Sequence, residues 1–518
     1  MRPTSYFTTP IYYVNDSPHI GHVFSTLLAD IAARFAQLEG CDKLLLTGTD
    51  EHSTKVTETA KLRGLNVETW AQNNADTFHQ TFRHFNIDFD DFIRTSEPRH
   101  KTNVQARIQQ LMASGDVYLG EYSGWYDAGQ EEYVPDAKAK QYNYQSPINK
   151  KPLVQRSEKN YFFKLSRYQQ NLLELLDSGE LKIHPASRTA EIAARIRDGL
   201  TDIPISRHSS EPWGIPVPGD ETHIVYVWVD ALFNYLTAID TEERRHFWPP
   251  KLQVVGKDIL WFHAVIWPAM LLALRKIEGN EWLVLPGNLL AHGFWIREGE
   301  KMSKSMGNFV GIADLETYCE QFGVDGTRFF LASAGPTGSS DADFVHARFI
   351  ESYNANLANT VGNCFNRVAG MIKRYFDGVV PVAARQPEAF DIEVLRLYAA
   401  AREKGQAYQF DKMIASGLAI FRAIDQYVNL TEPYRLIKQP ENKQRVGEIL
   451  YACLDALRLG ALVLWPVMPD NMSLLLKNLG CLDDGSTPIF ENGQKLLSGF
   501  HIQETNALFP RFQEVALL

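Results

Sequence analysis

Short apolar runs that read as strands alternate with helical patterns over the first hundred residues, and no other feature constrains the fold as strongly. Ser5–Thr9 reads as a strand, Pro10–Pro18 as a turn, and Gly21–Gly40 as a helix. Val23, Leu27, Ala29, Ile31, Ala32 and Phe35 keep near-helical spacing along that helix. Lys43–Thr47 holds Leu44-Leu45-Leu46, the continuous apolar run of a strand covered on both faces. Helices follow near Glu51–Leu62 and Val67–Phe85, then a strand at Phe92–Thr95 and a helix from Pro98. This succession predicts an α/β fold with a doubly wound, Rossmann-like parallel sheet.

The pattern is interrupted. From about Val117 the chain turns aromatic and alternating (Gly120–Tyr126), then polar (Lys138–Lys151). Strands return at Thr222–Val229, Leu252–Gly256 and Glu281–Pro286, with a helix at Ile259–Ile277. After Asp343 helical stripes take over at Ala347–Phe376, Ile392–Gln409, Lys412–Asn429, Lys443–Trp465 and Asn471–Leu479. The expected division is a split catalytic domain (1–115 and 221–295), a connective insertion (116–220), a short region at 296–346, a helical bundle (347–500) and a C-terminal tail (501–518).

No apolar run reaches the roughly 18 residues needed to span a bilayer. Met1-Arg2-Pro3-Thr4 leads straight into a strand-like segment, without a signal or transit pattern, so a cytoplasmic protein is expected. Cys41, Cys319, Cys364, Cys453 and Cys481 are far apart and form no CxxC, which argues against a disulfide framework or a zinc site. A formal net charge of −10 disfavours indiscriminate nucleic-acid binding but leaves room for one specific RNA partner.

Two motifs carry chemistry. Pro18-His19-Ile20-Gly21-His22 opens the first long helix. A helix N-terminus offers free N–H groups to phosphate, Gly21 permits close approach, and His19 and His22 add hydrogen-bond donors. Lys301-Met302-Ser303-Lys304-Ser305 is a small loop whose lysines and serines suit a pyrophosphate as charge builds on it. HIGH and KMSKS, in this order and separated by a split α/β domain, are the signature pair of class I aminoacyl-tRNA synthetases.

Further segments narrow the resemblance. Pro10-Ile11-Tyr12-Tyr13-Val14-Asn15, Thr47-Gly48-Thr49-Asp50-Glu51-His52, Ile205-Ser206-Arg207 with Trp213-Gly214-Ile215-Pro216, Tyr226-Val227-Trp228-Val229-Asp230-Ala231 and Gly256-Lys257-Asp258-Ile259 resemble the methionyl-tRNA synthetase family. The ordered likeness runs from Thr8 to about Arg367 and continues more loosely beyond. It implies a ligase that converts L-methionine and ATP to methionyl-adenylate and pyrophosphate, then transfers methionyl to the 3′ end of tRNA(Met), including the initiator, with release of AMP. ATP is a substrate and Mg2+ its companion. The catalytic residues implied are His19, His22, Lys301 and Lys304. ATP contacts implied are His19, Gly21, His22, Lys257, Asp258, His292, Gly293, Lys301, Ser303 and Lys304. Region 296–346 becomes the KMSKS, stem-contacting part.

A methionine side chain favours aromatic contact. Ile11, Tyr13, Trp228, Ala231, Tyr235, Ile259, Phe262, His263 and Trp267 are the expected walls of its pocket, with Asp50 for the ammonium. Asn359, Asn363 and Arg367 match the face that reads the anticodon, where Asn and Arg suit splayed bases. The chain departs from the family at three places. Glu131-Glu132-Tyr133-Val134-Pro135-Asp136 replaces zinc-binding cysteines, so a metal-free knuckle is expected, with Tyr122, Trp125, Tyr126, Tyr142 and Tyr144 as candidate core. Ser53 stands where Gly is common, at an expected helix start, a position that favours Ser. Tyr434 stands where the family usually has an anticodon-stacking Trp. The cysteine- and branched-chain-specific class I enzymes fit less well, since the former relies on a zinc thiolate site and the latter carry a large editing insertion. No dimerising C-terminal RNA-binding domain is recognised, so a monomer is expected.

Overall fold

The computed structural model describes residues 2–127, 132–134, 136–147, 149–209, 213–302, 308–382, 386–490, 496–502 and 507–513. Its central sheet is built from Thr4–Tyr13 (β1), Asp42–Asp50 (β2), Asp91–Arg94 (β3), Lys182–His184 (β4), Pro250–Gly256 (β5) and Asn288–His292 (β6). The order across the sheet is β3–β2–β1–β5–β6–β4, and every pair is parallel. The chain steps outward from β1 through β2 to β3, supplies the opposite edge with β4, then returns beside β1 at β5 and steps outward to β6. A crevice for ligands opens at such a switch, beyond the carboxyl ends of the two central strands.

Residue alternation explains the burial on both faces. Phe7, Leu45, Leu252, Val254 and Leu290 belong to a core shared with the helix Ile20–Leu38 (α1) and the helical bundle. Tyr6, Leu44, Leu46, Val255, Leu289 and Ala291 face the opposite core. The second face is covered by Pro98–Ala113 (α2) and Trp267–Arg275.

Some elements differ from the sequence reading. β1 runs on to Tyr13 because the register shifts between Thr8 and Ile11, and this irregularity accommodates Pro10, which has no N–H to pair. The segment Thr222–Val229 does not stay a strand. The strand Asp220–Val225 ends there, and Val227–Leu232 (α3) is helical. An unbroken Val-Tyr-Val-Trp-Val run carries no period that distinguishes the two. The strand read at Glu281–Pro286 is absent from that position and lies instead at Asn288–His292, beyond Pro286-Gly287. Helix Ile259–Ile277 is resolved into a π-helical turn, Phe262–Ile266, followed by Trp267–Arg275.

Within 116–220, Val117–Asp127 pairs antiparallel with Val154–Phe163 in a four-stranded sheet. Strand β4 also comes from this stretch, so the stretch contributes directly to the main sheet. Val134, Ala139 and Leu153 form a small core with Trp125 against it. Tyr144 packs on Trp125 with ring centres 4.5 Å apart, yet Tyr142 and Tyr144 are both exposed and are not core. The side chain of Tyr122 and residues Glu131 and Pro135 lie outside what the structure describes.

The second half is helical as expected, and this part of the fold is tied to the sheet by buried charge. Arg328, on the helix Ile312–Ala334 (α4), donates five hydrogen bonds: to Val467 O, Phe85 O, Asn86 O, Pro466 O and Asp30 Oδ2. Asp30 on α1 also accepts from Arg34 Nε at 2.9 Å and from the Asp88 amide. Cys319, Cys364, Cys453 and Cys481 are buried.

Candidate active site

The site begins where β1 passes into α1. His19 is the N-cap of α1, and its Nδ1 accepts from the Gly21 amide at 3.0 Å. His22 Nδ1 accepts in turn from the His19 amide at 3.2 Å. Both Nδ1 atoms are therefore acceptors, which puts the ring protons on the two Nε2 atoms. The rings stack with centres 3.7 Å apart. Burial, and then the neighbouring His19, hold His22 well below the ordinary histidine range, so its ring is neutral near pH 7. The outcome is two parallel N–H donors at a helix N-terminus, an arrangement that suits phosphate oxygens.

Residues just after the KMSKS loop meet this turn. Gly311 bridges His19 as a backbone pair, the Ile20 amide donates to Val310 O at 3.3 Å, and Phe309 stands edge-on to His19 at 5.4 Å. Ser303 and Lys304 lie outside the described residues. Lys301 is described, with its Nζ 5.4 Å from the centre of the Phe294 ring. Lys257 Nζ lies 4.7 Å from the same ring and 2.6 Å from Asp341 Oδ1. Burial alone would push the Asp341 carboxyl up, but the Lys257 hydrogen bond reverses this and holds it below its ordinary value.

His292 ends β6 beside α1. Its Nε2 is 2.6 Å from Ser25 Oγ, and its Nδ1 is 2.7 Å from Gly293 O. Burial lowers its pKa, so the neutral ring donates from Nδ1 and accepts from Ser25. Gly293 is packed so closely that a Cβ there would lie 2.7 Å from Ser340 O. A Cβ on Gly256 would lie 2.6 Å from Asp258 Oδ1, so a side chain there would have to turn that carboxylate aside.

The aromatic residues converge beside this crevice. Trp228 on α3 stacks on Phe262 at 4.2 Å, and Tyr13 meets Trp228 edge-on at 6.0 Å. Tyr235 Oη is 2.7 Å from His263 Nε2, and Trp267 packs on Tyr235 at 5.9 Å. Trp267 is fully buried and supports Tyr235 from behind. Ile11 and Ile259 pack against the same core, Ala231 is buried beside Asp230, and Asp50 ends β2 opposite Tyr13. Alongside, a cavity of about 840 Å3 opens between the inserted sheet and the catalytic core, with Trp213, Trp228, Trp261, Phe262 and Arg207 on its walls.

Several residues here escaped the sequence reading. His52 Nδ1 and His100 Nε2 clasp Asp230 at 2.6 and 2.7 Å. Glu51 is buried and paired with Arg94 Nε at 2.7 Å. Ser25 meets His292, and Phe294 and Asp341 both meet Lys257. Glu51, His52 and Asp230 stood within quoted segments, but nothing in the sequence paired them: His52 and Asp230 are 178 residues apart.

The anticodon candidates Asn359, Asn363, Arg367 and Tyr434 all lie on helical elements of the second half. Asn359 and Asn363 are exposed, at four-residue spacing along a continuous helical path with Arg367. Arg367 Nη2 donates to Asn429 Oδ1 at 2.7 Å. Tyr434 is 37% exposed, and its hydroxyl donates to Glu432 Oε1 at 3.4 Å.

Comparison with known proteins resolves which family this is. A family model described as class I tRNA synthetases (M) matches residues 5–142 and 139–369. A methionine–tRNA ligase of Streptomyces coelicolor is 38% identical over 98% of this chain and 97% of its own length. The chain belongs to the methionyl-tRNA synthetase family. The Brucella suis family member is also 38% identical, over 99% of both chains. Among solved structures, the methionyl-tRNA synthetase of Mycobacterium tuberculosis in complex with methionyl-adenylate superposes with a TM-score of 0.89 at 33% identity, covering 98% of this chain and all of that one. The family thus holds over the whole chain, helical bundle included.

Proposed function

We propose that the protein is a methionine–tRNA ligase. It activates L-methionine with ATP to methionyl-adenylate and then charges tRNA(Met), the initiator included. The observation that carries this reading is the pairing of His19 with Gly311, which brings the helix start of HIGH against the exit of the KMSKS loop, beside an aromatic pocket. The methionine carboxylate attacks the α-phosphorus of ATP, the bond to the β-phosphate oxygen breaks, and pyrophosphate leaves. The carboxylate is already a nucleophile, so the protein positions and stabilises charge rather than removing a proton.

In this reading His19 and His22 donate from Nε2 to the phosphates, and Lys301 and Lys304 follow the leaving pyrophosphate. Lys257, Asp258, His292 and Gly293 hold the nucleoside, with Gly21 and Ser303 at the phosphates. The pocket from Ile11 to Trp267 takes the thioether and Asp50 the ammonium. Mg2+ is a hard cation that keeps several waters and travels on the phosphates of ATP. Structural zinc has no part in the reading. The terminal ribose hydroxyl of tRNA then takes methionyl from the adenylate, releasing AMP, while Asn359, Asn363, Arg367 and Tyr434 hold the anticodon. The domain division given above, a monomeric state and a cytoplasmic location complete the proposal. Among the described residues, no helix is long and apolar enough to cross a membrane.

The test is ATP–pyrophosphate exchange with each of the twenty amino acids. Exchange with methionine alone is the expected result. Exchange with a different amino acid would overturn the pocket assignment. A companion variant, Lys304→Ala, slows adenylate formation by orders of magnitude and leaves methionine binding near wild type. Wild-type adenylate rates in that variant would remove the lysine from the mechanism.

A further inference from the structure

Asp230 is fully buried, on α3 between the pocket residues Trp228 and Ala231. Its two oxygens are used by different elements. Oδ2 is 2.6 Å from His52 Nδ1, on the segment that leaves β2 two residues after Asp50. Oδ1 is 2.7 Å from His100 Nε2, on α2, and His100 Nδ1 is 3.0 Å from Thr237 Oγ1. His52 and His100 are both buried as well. The carboxyl is held down at about 2: burial works against this, and His52 and His100 more than overcome it.

A carboxylate oxygen only accepts, so His52 Nδ1 carries the proton given to Asp230. The segment that carries His52 is itself fixed. Glu51 pairs with Arg94 and accepts from Thr49 Oγ1 at 2.8 Å, its amide donates to Thr95 Oγ1, and its carbonyl accepts from Trp213 Nε1. The His52–Asp230 contact therefore couples α3 to a rigid strand end.

A second tie closes the loop. Tyr13 is the register partner of Asp50 across β1 and β2, and its ring meets Trp228 on α3. Trp228 in turn stacks on Phe262. The strand end that would hold the methionine ammonium and the helix that would hold its thioether are thus joined once by aromatic contact and once by buried charge. Neither His52, His100 nor Asp230 is needed as an acid or base by an attacking carboxylate. A buried charged contact also costs desolvation, and an apolar trio of similar volume would serve packing alone at least as well.

We infer that Asp230, clasped by His52 and His100, is a positioning residue that sets the distance between the ammonium site at Asp50 and the thioether pocket at Trp228 and Ala231, and so governs recognition of methionine. The inference rests on the methionine reading above.

The test is pyrophosphate exchange on the intact protein with His52→Ala, His52→Asn and Asp230→Asn. Wild type is measured first. Absence of methionine-dependent exchange there would defeat the proposed function itself. With that exchange in hand, His52→Ala is expected to raise the methionine KM about tenfold, with kcat within threefold and the ATP KM within twofold of wild type. His52→Asn, whose amide N–H replaces the Nδ1–H donor, is expected to recover the methionine KM to within threefold. Asp230→Asn sets an amide N–H against an imidazole N–H and is expected to exceed the His52→Ala effect. If that buried substitution does not fold, the His52 pair still decides the matter. An unchanged methionine KM in His52→Ala, a parallel loss of ATP affinity, or no recovery with Asn would each overturn the inference.

Discussion

The phenol of Tyr235 donates to Nε2 of His263 at 2.7 Å, and His263 Nδ1 is 3.0 Å from Ile259 O. The neutral ring is thereby held in one tautomer, with its acceptor turned to tyrosine. Tyr235→Phe removes the donor and leaves a buried acceptor unpaired, at a cost of roughly 1–3 kcal/mol. Part of this is expected to appear in substrate recognition as a methionine KM about tenfold higher, with the ATP KM unchanged. Steady-state exchange at varied methionine and varied ATP separates the two, and equal rises would point to general loosening.

Burial pushes His263 down to about 4. In an unfolded chain its value is about 6.5, so between the two the unfolded state binds a proton that the folded state refuses. The contribution of the neutral ring is therefore whole above about 6.5 and falls as the pH drops toward 4, by roughly 3 kcal/mol in total. The variant His263→Gln lacks this titration. Urea unfolding at pH 7 and 4.5 should find the stability gap between wild type and variant narrowing by roughly 2–3 kcal/mol, the part of that fall reached by pH 4.5. A gap that stays constant would contradict the assignment.

Asp30 and Arg328 form a fully buried ion pair at 2.6 Å, linking α1 to α4 and, through Pro466 O and Val467 O, to the helical bundle. Breaking such a pair from one side costs about 3–5 kcal/mol, because the remaining charge stays buried. Asp30→Asn is therefore expected to lower the urea midpoint markedly. A loss below about 1 kcal/mol would mean that the neighbouring carbonyls alone satisfy Arg328.

Arg367, on the helix Asn363–Phe376, meets Asn429 and Asp425. Arg367→Ala should leave pyrophosphate exchange within twofold while kcat/KM for tRNA charging falls about 10- to 100-fold, the size of one lost base contact. Equal losses in both assays would mark the arginine as structural.

The knuckle has an aromatic and aliphatic core around Trp125, Val134, Ala139 and Leu153. Prolonged chelation followed by return of Mg2+ should therefore leave exchange within about twofold of the untreated protein, since a structural zinc site would supply folding energy lost on chelation. Activity restored by Zn2+ alone would overturn the metal-free reading.

The class of fold and the family were legible in the sequence for local reasons. Strand–helix alternation, the apolar triplet Leu44-Leu45-Leu46 and the motifs at His19–His22 and Lys301–Ser305 are all contiguous, and contiguous patterns survive without coordinates. Tyr13, Trp228, Phe262 and Trp267 were legible as candidate pocket walls, and the structure brings their rings into contact with one another or with Tyr235. Where local pattern was ambiguous the reading slipped, as at Val227–Leu232, whose apolar run suits a strand as well as a buried helix.

Tertiary structure alone decided who touches whom. Asp230 carries no sign in sequence that it will face His52 and His100, since its partners lie 178 and 130 residues away. Arg328 reads as an ordinary helix arginine until the fold sets Asp30 and the carbonyls of Phe85, Pro466 and Val467 around it. The sequence determined elements and chemistry because these depend on spacing within a few turns of chain. Charge pairing, tautomer and pKa depend on burial and on neighbours brought from afar, and those exist only once the sheet and the bundle have packed.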